Sequence, residues 1–349
     1  MSEAQNNPTP HAAELRDALA LLIARAGKSL EDSSKSSPSL QRYQELVRLY
    51  DLASKREDQG CIFAVYGSPN MGKSTLLNSL LDEAVLPVKP IPTTGSVIDL
   101  RVNHSREDYE VICKDCQGTL RRNLFKESEG VCDFLNRYAT QDSPFQSVCI
   151  TGPFPNAQKF LTEGCTLRDT PGAEALLDRE SGRVIDERLR ADSEKALASI
   201  SKDMIPLFCV SSDTLGQQQD MDFYDKYFRN RCCLHILTRI DQRTKEVGSQ
   251  EALDAINDFC EKFNIIPSAD HPKPVVCTGI DGKAQGQRFV NLGLEELEKE
   301  MLGFISPARL ETTLLELARF ILDNKGQLDF PVNEVYAAQL DRILKQYDK

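Results

Sequence analysis

Residues Gly67-Ser-Pro-Asn-Met-Gly-Lys-Ser74 complete a G-x-x-x-x-G-K-[ST] pattern and directly follow the apolar run Cys61-Ile-Phe-Ala-Val-Tyr66. A short buried strand, a glycine-bearing turn and a helix start are the context in which this pattern cradles phosphate. Gly67, Asn70, Met71, Gly72 and Thr75 would then line the anion with the backbone of the loop and of the helix start. Lys73 would reach the β and γ oxygens, and the Ser74 hydroxyl would ligate Mg²⁺. Thr75–Leu81 continues as a helix whose N-terminal dipole favours the same anion. The alternative is a Gly-rich turn that carries no ligand.

A phosphate loop says nucleotide but not which one. Asp169-Thr-Pro-Gly172 stands immediately after a predicted strand, so the Asp169 carboxylate can hold Mg²⁺ through water while the Gly172 N–H faces a γ-phosphate. Thr238-Arg-Ile-Asp241 follows the strand Leu234–Leu237. Asp241 could accept two hydrogen bonds from guanine N1 and N2, a donor pair that adenine lacks, and Arg239 would lay its flat guanidinium along the base. Between these motifs, Leu86–Gly95 is a proline-punctuated loop with two adjacent hydroxyls. One of them, taken as Thr94 with Thr93 as the alternative, can close over Mg²⁺ and the γ-phosphate and release after hydrolysis. A polar connector without a ligand is the competing reading of that loop.

These residues need strands that end at one edge and helices that begin there. After the phosphate loop, Val97–Val102, Tyr109–Cys113, Ser147–Thr151, Cys165–Arg168, Ile205–Val210, Leu234–Leu237 and Val275–Cys277 read as strands. Phe125–Tyr138, Asp178–Met204 and Glu251–Phe263 read as helices. The alternation predicts an α/β fold, a three-layer domain with a mostly parallel sheet covered on both faces. Leu15, Leu19, Leu22 and Ala26, and then Leu40, Tyr43, Val47 and Tyr50, mark two amphipathic helices ahead of it. Leu310, Leu314, Leu317 and Ile321, and then Tyr336, Leu340, Ile343 and Tyr347, mark two more behind it. The expected organisation is N-terminal helices over 1–57, the nucleotide domain over 58–305 and C-terminal helices over 306–349. The flanking helices either pack onto the central domain or pair with one another as a bundle or neck.

Composition excludes several classes. The 349 residues hold 53 acidic and 42 basic side chains, a formal net charge of −11, which argues against a nucleic-acid-coating surface. Eleven scattered cysteines and an N-terminus without signal-peptide features point to reduced thiols and a cytoplasmic setting. With no apolar stretch long enough to span a bilayer, membrane contact would be peripheral. Cys113-Lys-Asp-Cys116 has zinc-knuckle spacing, but no second pair stands nearby, so a strand-end turn is preferred. His235, in an apolar strand, reads as packed and hydrogen-bonded rather than as a ligand.

The order of motifs over about residues 60 to 280 resembles the dynamin superfamily of large GTPases, particularly its bacterial members. It runs from Gly67–Ser74 through Leu-Leu-Asn-Ser-Leu-Leu81, the Leu86-Pro…Pro-Thr-Thr94 loop, Ile150-Thr-Gly-Pro-Phe154 and Asp169–Gly172 to Thr238–Asp241. The resemblance implies GTP and GDP as ligands, Mg²⁺-dependent hydrolysis, neck helices, dimerisation through the nucleotide face and, for many members, membrane binding or remodelling. Asn70 instead resembles the loop asparagine of the Era and MnmE type, which in potassium-activated GTPases helps hold a monovalent cation. Ala173 stands where a water-orienting Gln would follow Gly172, and Arg239 replaces the commoner Lys. Cys277-Thr-Gly-Ile280 matches the family's last base-contacting loop only loosely. An ATP-using relative, a switch with little turnover and an Era-like RNA-associated GTPase are the other readings, the last disfavoured by the acidic balance and the flanking helices. The chain is shorter than most members and ends inside a helical pattern, which fits either a piece of a longer protein or a member without the stalk.

Overall fold

The computed structural model describes residues 15, 18–20, 38–59, 61–88, 96–139, 143–157, 161, 165–172, 200, 204–240, 249–267, 272–276, 278–281, 289–304, 307–324 and 334–347. Thr93, Thr94, Ala173, Asp241 and most of the expected helix 178–204 lie outside them. The chain divides into two units, Gln59–Leu302 and a second formed by Met1–Asp58 with Gly303–Lys349.

The elements in chain order are α1 (Pro38–Gln59), β1 (Ile62–Tyr66), α2 (Lys73–Leu81), β2 (Val97–Val102), β3 (Tyr109–Asp115), β4 (Leu120–Phe125), α3 (Ser128–Tyr138), β5 (Phe145–Gly152) and β6 (Thr166–Asp169). They continue with β7 (Met204–Ser211), α4 (Gln218–Tyr227), β8 (Leu234–Thr238), α5 (Gln250–Lys262), β9 (Val275–Val276), β10 (Thr278–Asp281), β11 (Phe289–Leu292), α6 (Leu294–Phe304), α7 (Pro307–Asp323) and α8 (Glu334–Tyr347).

Nine strands form one sheet in the order β4-β3-β5-β2-β6-β1-β7-β8-β9. The half that carries the phosphate loop is parallel throughout, with β1 between β6 and β7, and β8 and β9 beyond. The other half is mixed. There β2 meets β6 antiparallel, β5 returns parallel to β2, and β3 and β4 make a hairpin on its outer side. Every residue of β7 is buried, as a central strand covered on both faces requires, which explains its apolar run from Met204 to Val210 where a strand with one face in water would alternate. Phe208 of β7 packs against Tyr224 and Phe228 at the end of α4 and against Phe263 after α5, fixing both helices to the same face.

One sequence boundary is corrected. The helix expected over Phe125–Tyr138 starts at Ser128, and Leu120–Phe125 is instead the edge strand of the hairpin. An edge strand needs only one row of partners and little burial, so Leu-Arg-Arg-Asn-Leu-Phe shows no clean alternation to betray it. Leu120 and Leu124 are exposed there, and Arg122 pairs with Glu110 of β3.

In the second unit the flanking helices share one core. Leu15 and Leu19, Tyr43 and Leu46 of α1, Leu314, Leu317 and Ile321 of α7, and Leu340 and Ile343 of α8 are buried together. Segments from both ends of the chain therefore pair as a helical bundle.

Candidate functional site

The site is built where β1, β6, β7 and β8 end. From β1 the chain turns through Gly67, at φ 148, and Asn70 and Gly72, at φ 62 and 82, before α2 begins at Lys73. Gly72 leaves α2 without a side-chain cap, so the helix's first amides meet the loop with no competing acceptor from the cap residue, the arrangement that suits an anion. Lys73 is buried, and its ammonium donates to the carbonyl oxygens of Gly67 at 3.0 Å and Ser68 at 2.9 Å. This holds the charge over the loop's mouth.

The other motifs converge on this loop. Ser74 Oγ donates to Asp169 Oδ2 at 2.7 Å, which puts the two oxygens expected to hold a cation side by side. Arg168, the residue before, pairs with Asp99 of β2 and ties the end of β6 to its antiparallel neighbour. Thr170 donates to the carbonyl of Val65, and Gly172 lies so near the loop that a Cβ on it would sit 2.5 Å from Pro69 Cγ. Thr238 Oγ1 donates to the carbonyl of Met71 at 2.7 Å, and Thr214 Oγ1 to Met71 Sδ at 3.5 Å. The half-buried Arg239, at φ 57, donates through its guanidinium to the carbonyl of the exposed Asn70. Its observed partner is thus the loop itself.

Thr75 sits half-buried in the first turn of α2, and its carbonyl accepts from Ser79 Oγ. The asparagine of Leu-Leu-Asn-Ser-Leu-Leu has a structural role. Asn78 exchanges two hydrogen bonds with the backbone of Leu86, which fixes where the Leu86–Gly95 loop begins. Gly152 of the Gly-Pro-Phe motif is required by close packing, since a Cβ there would lie 2.3 Å from the Tyr109 ring, and buried Phe154 stacks edge-on against the same ring. Thr278–Asp281, part of the expected last base loop, is a strand paired antiparallel with Phe289–Leu292 and running beside α2. Cys277 lies outside the described residues.

The lesser signals lie at β3 and β8. Cys113 is buried inside β3 and Cys116 is exposed in the following turn, and no group of metal-binding side chains occurs among the described residues. His235 is buried in β8 with Nε2 3.2 Å from the Tyr224 hydroxyl. Sequence reading missed Ser68 and Asp220. Ser68 Oγ donates to Asp220 Oδ1 at 2.5 Å, and Asp220 is an ordinary acid in the first turn of α4 with no motif to flag it.

A phosphate loop at the end of β1, an Asp-Thr-Pro-Gly turn against it and a Thr-Arg-Ile segment bonded to its backbone define a P-loop nucleotide-binding domain of the GTPase class. Residues 63–236 match the model of the dynamin family, and the chain belongs to the dynamin superfamily of GTPases. Dynamin-like protein A of Bacillus subtilis is 27% identical over 138 residues, 39% of this chain and 10% of that protein. GTPase Der of Ruminiclostridium cellulolyticum is 40% identical over 91 residues, 26% of this chain and 19% of that protein. The chain therefore spans a fifth or less of these two relatives. Among solved structures, an oligomerised bacterial dynamin pair, described as sensing and tethering membranes at long range, shares the fold with a TM-score of 0.51 and 14% identity, covering 96% of this chain and 47% of that one.

Proposed function

We propose that this chain binds GTP and GDP and hydrolyses GTP with Mg²⁺, and that the nucleotide governs its self-association and a peripheral contact with membranes. The observation that carries the reading is the convergence on one loop of Lys73, the Ser74–Asp169 pair, Gly172 and Thr238. The match to a dynamin-like protein and to Der supports guanine over adenine. The membrane part rests on the bacterial dynamin neighbour. No helix among the described residues is long and apolar enough to cross a bilayer, so contact would be at the surface.

The donor set fits Mg²⁺: a hydroxyl and a carboxylate oxygen, both hard, 2.7 Å apart at the mouth of the loop. Ser74 and Asp169, with Thr94 from the switch loop, would hold the ion, which when bound offsets charge on the β- and γ-phosphates. The loop amides orient the triphosphate for in-line attack by water, and Lys73 stabilises the charge that develops on the transferring group. Asp241 and Arg239 would select and support the base.

Competition between GTP and ATP, with hydrolysis and size on a column followed in GDP, GTP and a transition-state mimic, tests the reading. Outcompetition by ATP would overturn the base assignment. Asp241→Asn is expected to weaken guanine nucleotides by about two orders of magnitude and to improve xanthine nucleotides, whose ring presents an acceptor at that edge. An unchanged preference would move base selection elsewhere.

Asn70 supplies the second expectation. Its exposed position offers a neutral amide oxygen at the loop, which suits K⁺. Hydrolysis should be faster in K⁺ than in Na⁺ or Li⁺ and should rise with protein concentration, because a domain docked across the nucleotide face shields such a charge from water. Asn70→Ala should lose the cation preference and keep its GDP affinity. Activity indifferent to both cation and concentration would remove this role for Asn70 and the dimer inferred with it.

A further inference from the structure

Asp220 lies in the first turn of α4, is 2% exposed, and accepts the Ser68 hydroxyl at 2.5 Å on Oδ1. No hydrogen-bond partner stands at Oδ2 among the described residues. A carboxylate buried with one bond is costly to keep, so its place beneath the loop calls for a reason. Ser68, its partner, is the second residue of the phosphate loop, and the Ser68 carbonyl receives the Lys73 ammonium. The same residue is thus held at two atoms, by its hydroxyl to Asp220 and by its carbonyl to Lys73. Burial raises the Asp220 carboxyl above its ordinary value, while the Ser68 hydrogen bond and the nearby Lys73 charge pull against it.

We propose that Asp220 is a positioning residue that braces the phosphate loop from beneath through Ser68, so that Lys73 and the loop amides meet the phosphates already aligned. The brace joins α4 directly to the loop, a connection between segments 152 residues apart in sequence. It deepens the nucleotide-binding reading and rests on it for its consequence in affinity, but the mechanical part is independent of any ligand.

The test uses the whole chain and two readouts on wild type, Ser68→Ala, Asp220→Ala, Asp220→Asn and the Ser68→Ala/Asp220→Ala double variant. Amide hydrogen exchange without nucleotide should quicken about tenfold over residues 67–74 in Ser68→Ala and Asp220→Ala, the scale of a lost hydrogen bond to a charged group, and stay unchanged in α5. Release of a fluorescent GDP analogue should quicken by about the same factor. The double variant should be no worse than the worse single, because both remove one interaction. Asp220→Asn, which keeps an acceptor for the same hydroxyl, should recover much of the loss. Should Asp220→Ala fail to fold, Ser68→Ala, which loses only a hydroxyl, carries the test alone. Unchanged exchange over the loop, or strictly additive single effects, overturns the brace. Quickened exchange in a chain whose wild type binds no GDP analogue upholds the brace and sinks the nucleotide reading instead.

Discussion

Replacing Lys73 with alanine is expected to abolish measurable hydrolysis and to weaken triphosphate binding at least about tenfold. Removing one preorganised charge donor from a phosphoryl-transfer site costs on the order of 10²–10³ in rate. The ammonium rests on the Gly67 and Ser68 carbonyls within the phosphate loop itself, where an anion bound by the loop would meet it. GDP, which lacks the γ-phosphate, should lose less affinity than GTP. Single-turnover hydrolysis and equilibrium binding of both nucleotides check the expectation. Turnover at the wild-type rate in this variant would falsify the catalytic assignment of the loop.

Gly67→Ala is expected to be as damaging for a different reason. At φ 148 the residue occupies backbone space closed to other side chains, and a Cβ there would stand 2.3 Å from the carbonyl oxygen of Cys209. That oxygen belongs to β7, the buried strand next to β1, and cannot retreat without breaking the sheet. Overpacking and strain together should cost about 3 kcal/mol, a fall in Tm of roughly 10 °C for a domain of this size, with nucleotide binding lost. Gly118→Ala is the control. It too has positive φ, 86, but nothing lies within 4 Å, so only the conformational cost of about 1 kcal/mol should appear. Equal destabilisation of the two variants would show that the close approach to Cys209 is not what requires glycine at position 67.

Much of the site was legible because its chemistry constrains sequence locally. Phosphate contact needs small residues at fixed offsets from a lysine, and strand ends with short turns place Asp169 and Thr238 on the same edge. What was not legible was pairing at a distance. Ser68 and Asp220 are common residue types in common positions, and only the fold brings them together. Arg239 could be expected beside a base, but not on the Asn70 carbonyl, since that bond depends on how the loops after β1 and β8, two strands apart on the same edge of the sheet, meet. The helical stripes at the two ends of the chain announced amphipathic helices without saying what would cover them. The shared core of Leu15, Tyr43, Leu317 and Ile343 answers that, because an apolar face carries no record of its partner. Sheet order was likewise out of reach, as hydrophobic patterning finds strands and not their neighbours.

The hairpin strand β4 has a consequence for how the molecule behaves in a crowded solution. It ends the sheet with a row of backbone donors and acceptors that another chain could continue, and Leu120 and Leu124 make that border sticky. Arg121 and Arg122 stand exposed between the two leucines, and although Arg122 shares its charge with Glu110 of β3, a second copy approaching border to border would bring the Arg121 guanidiniums together, which opposes fibril-like growth. Association at this border is therefore expected to rise with ionic strength, since salt that masks the arginines leaves the leucines between which they stand free to meet.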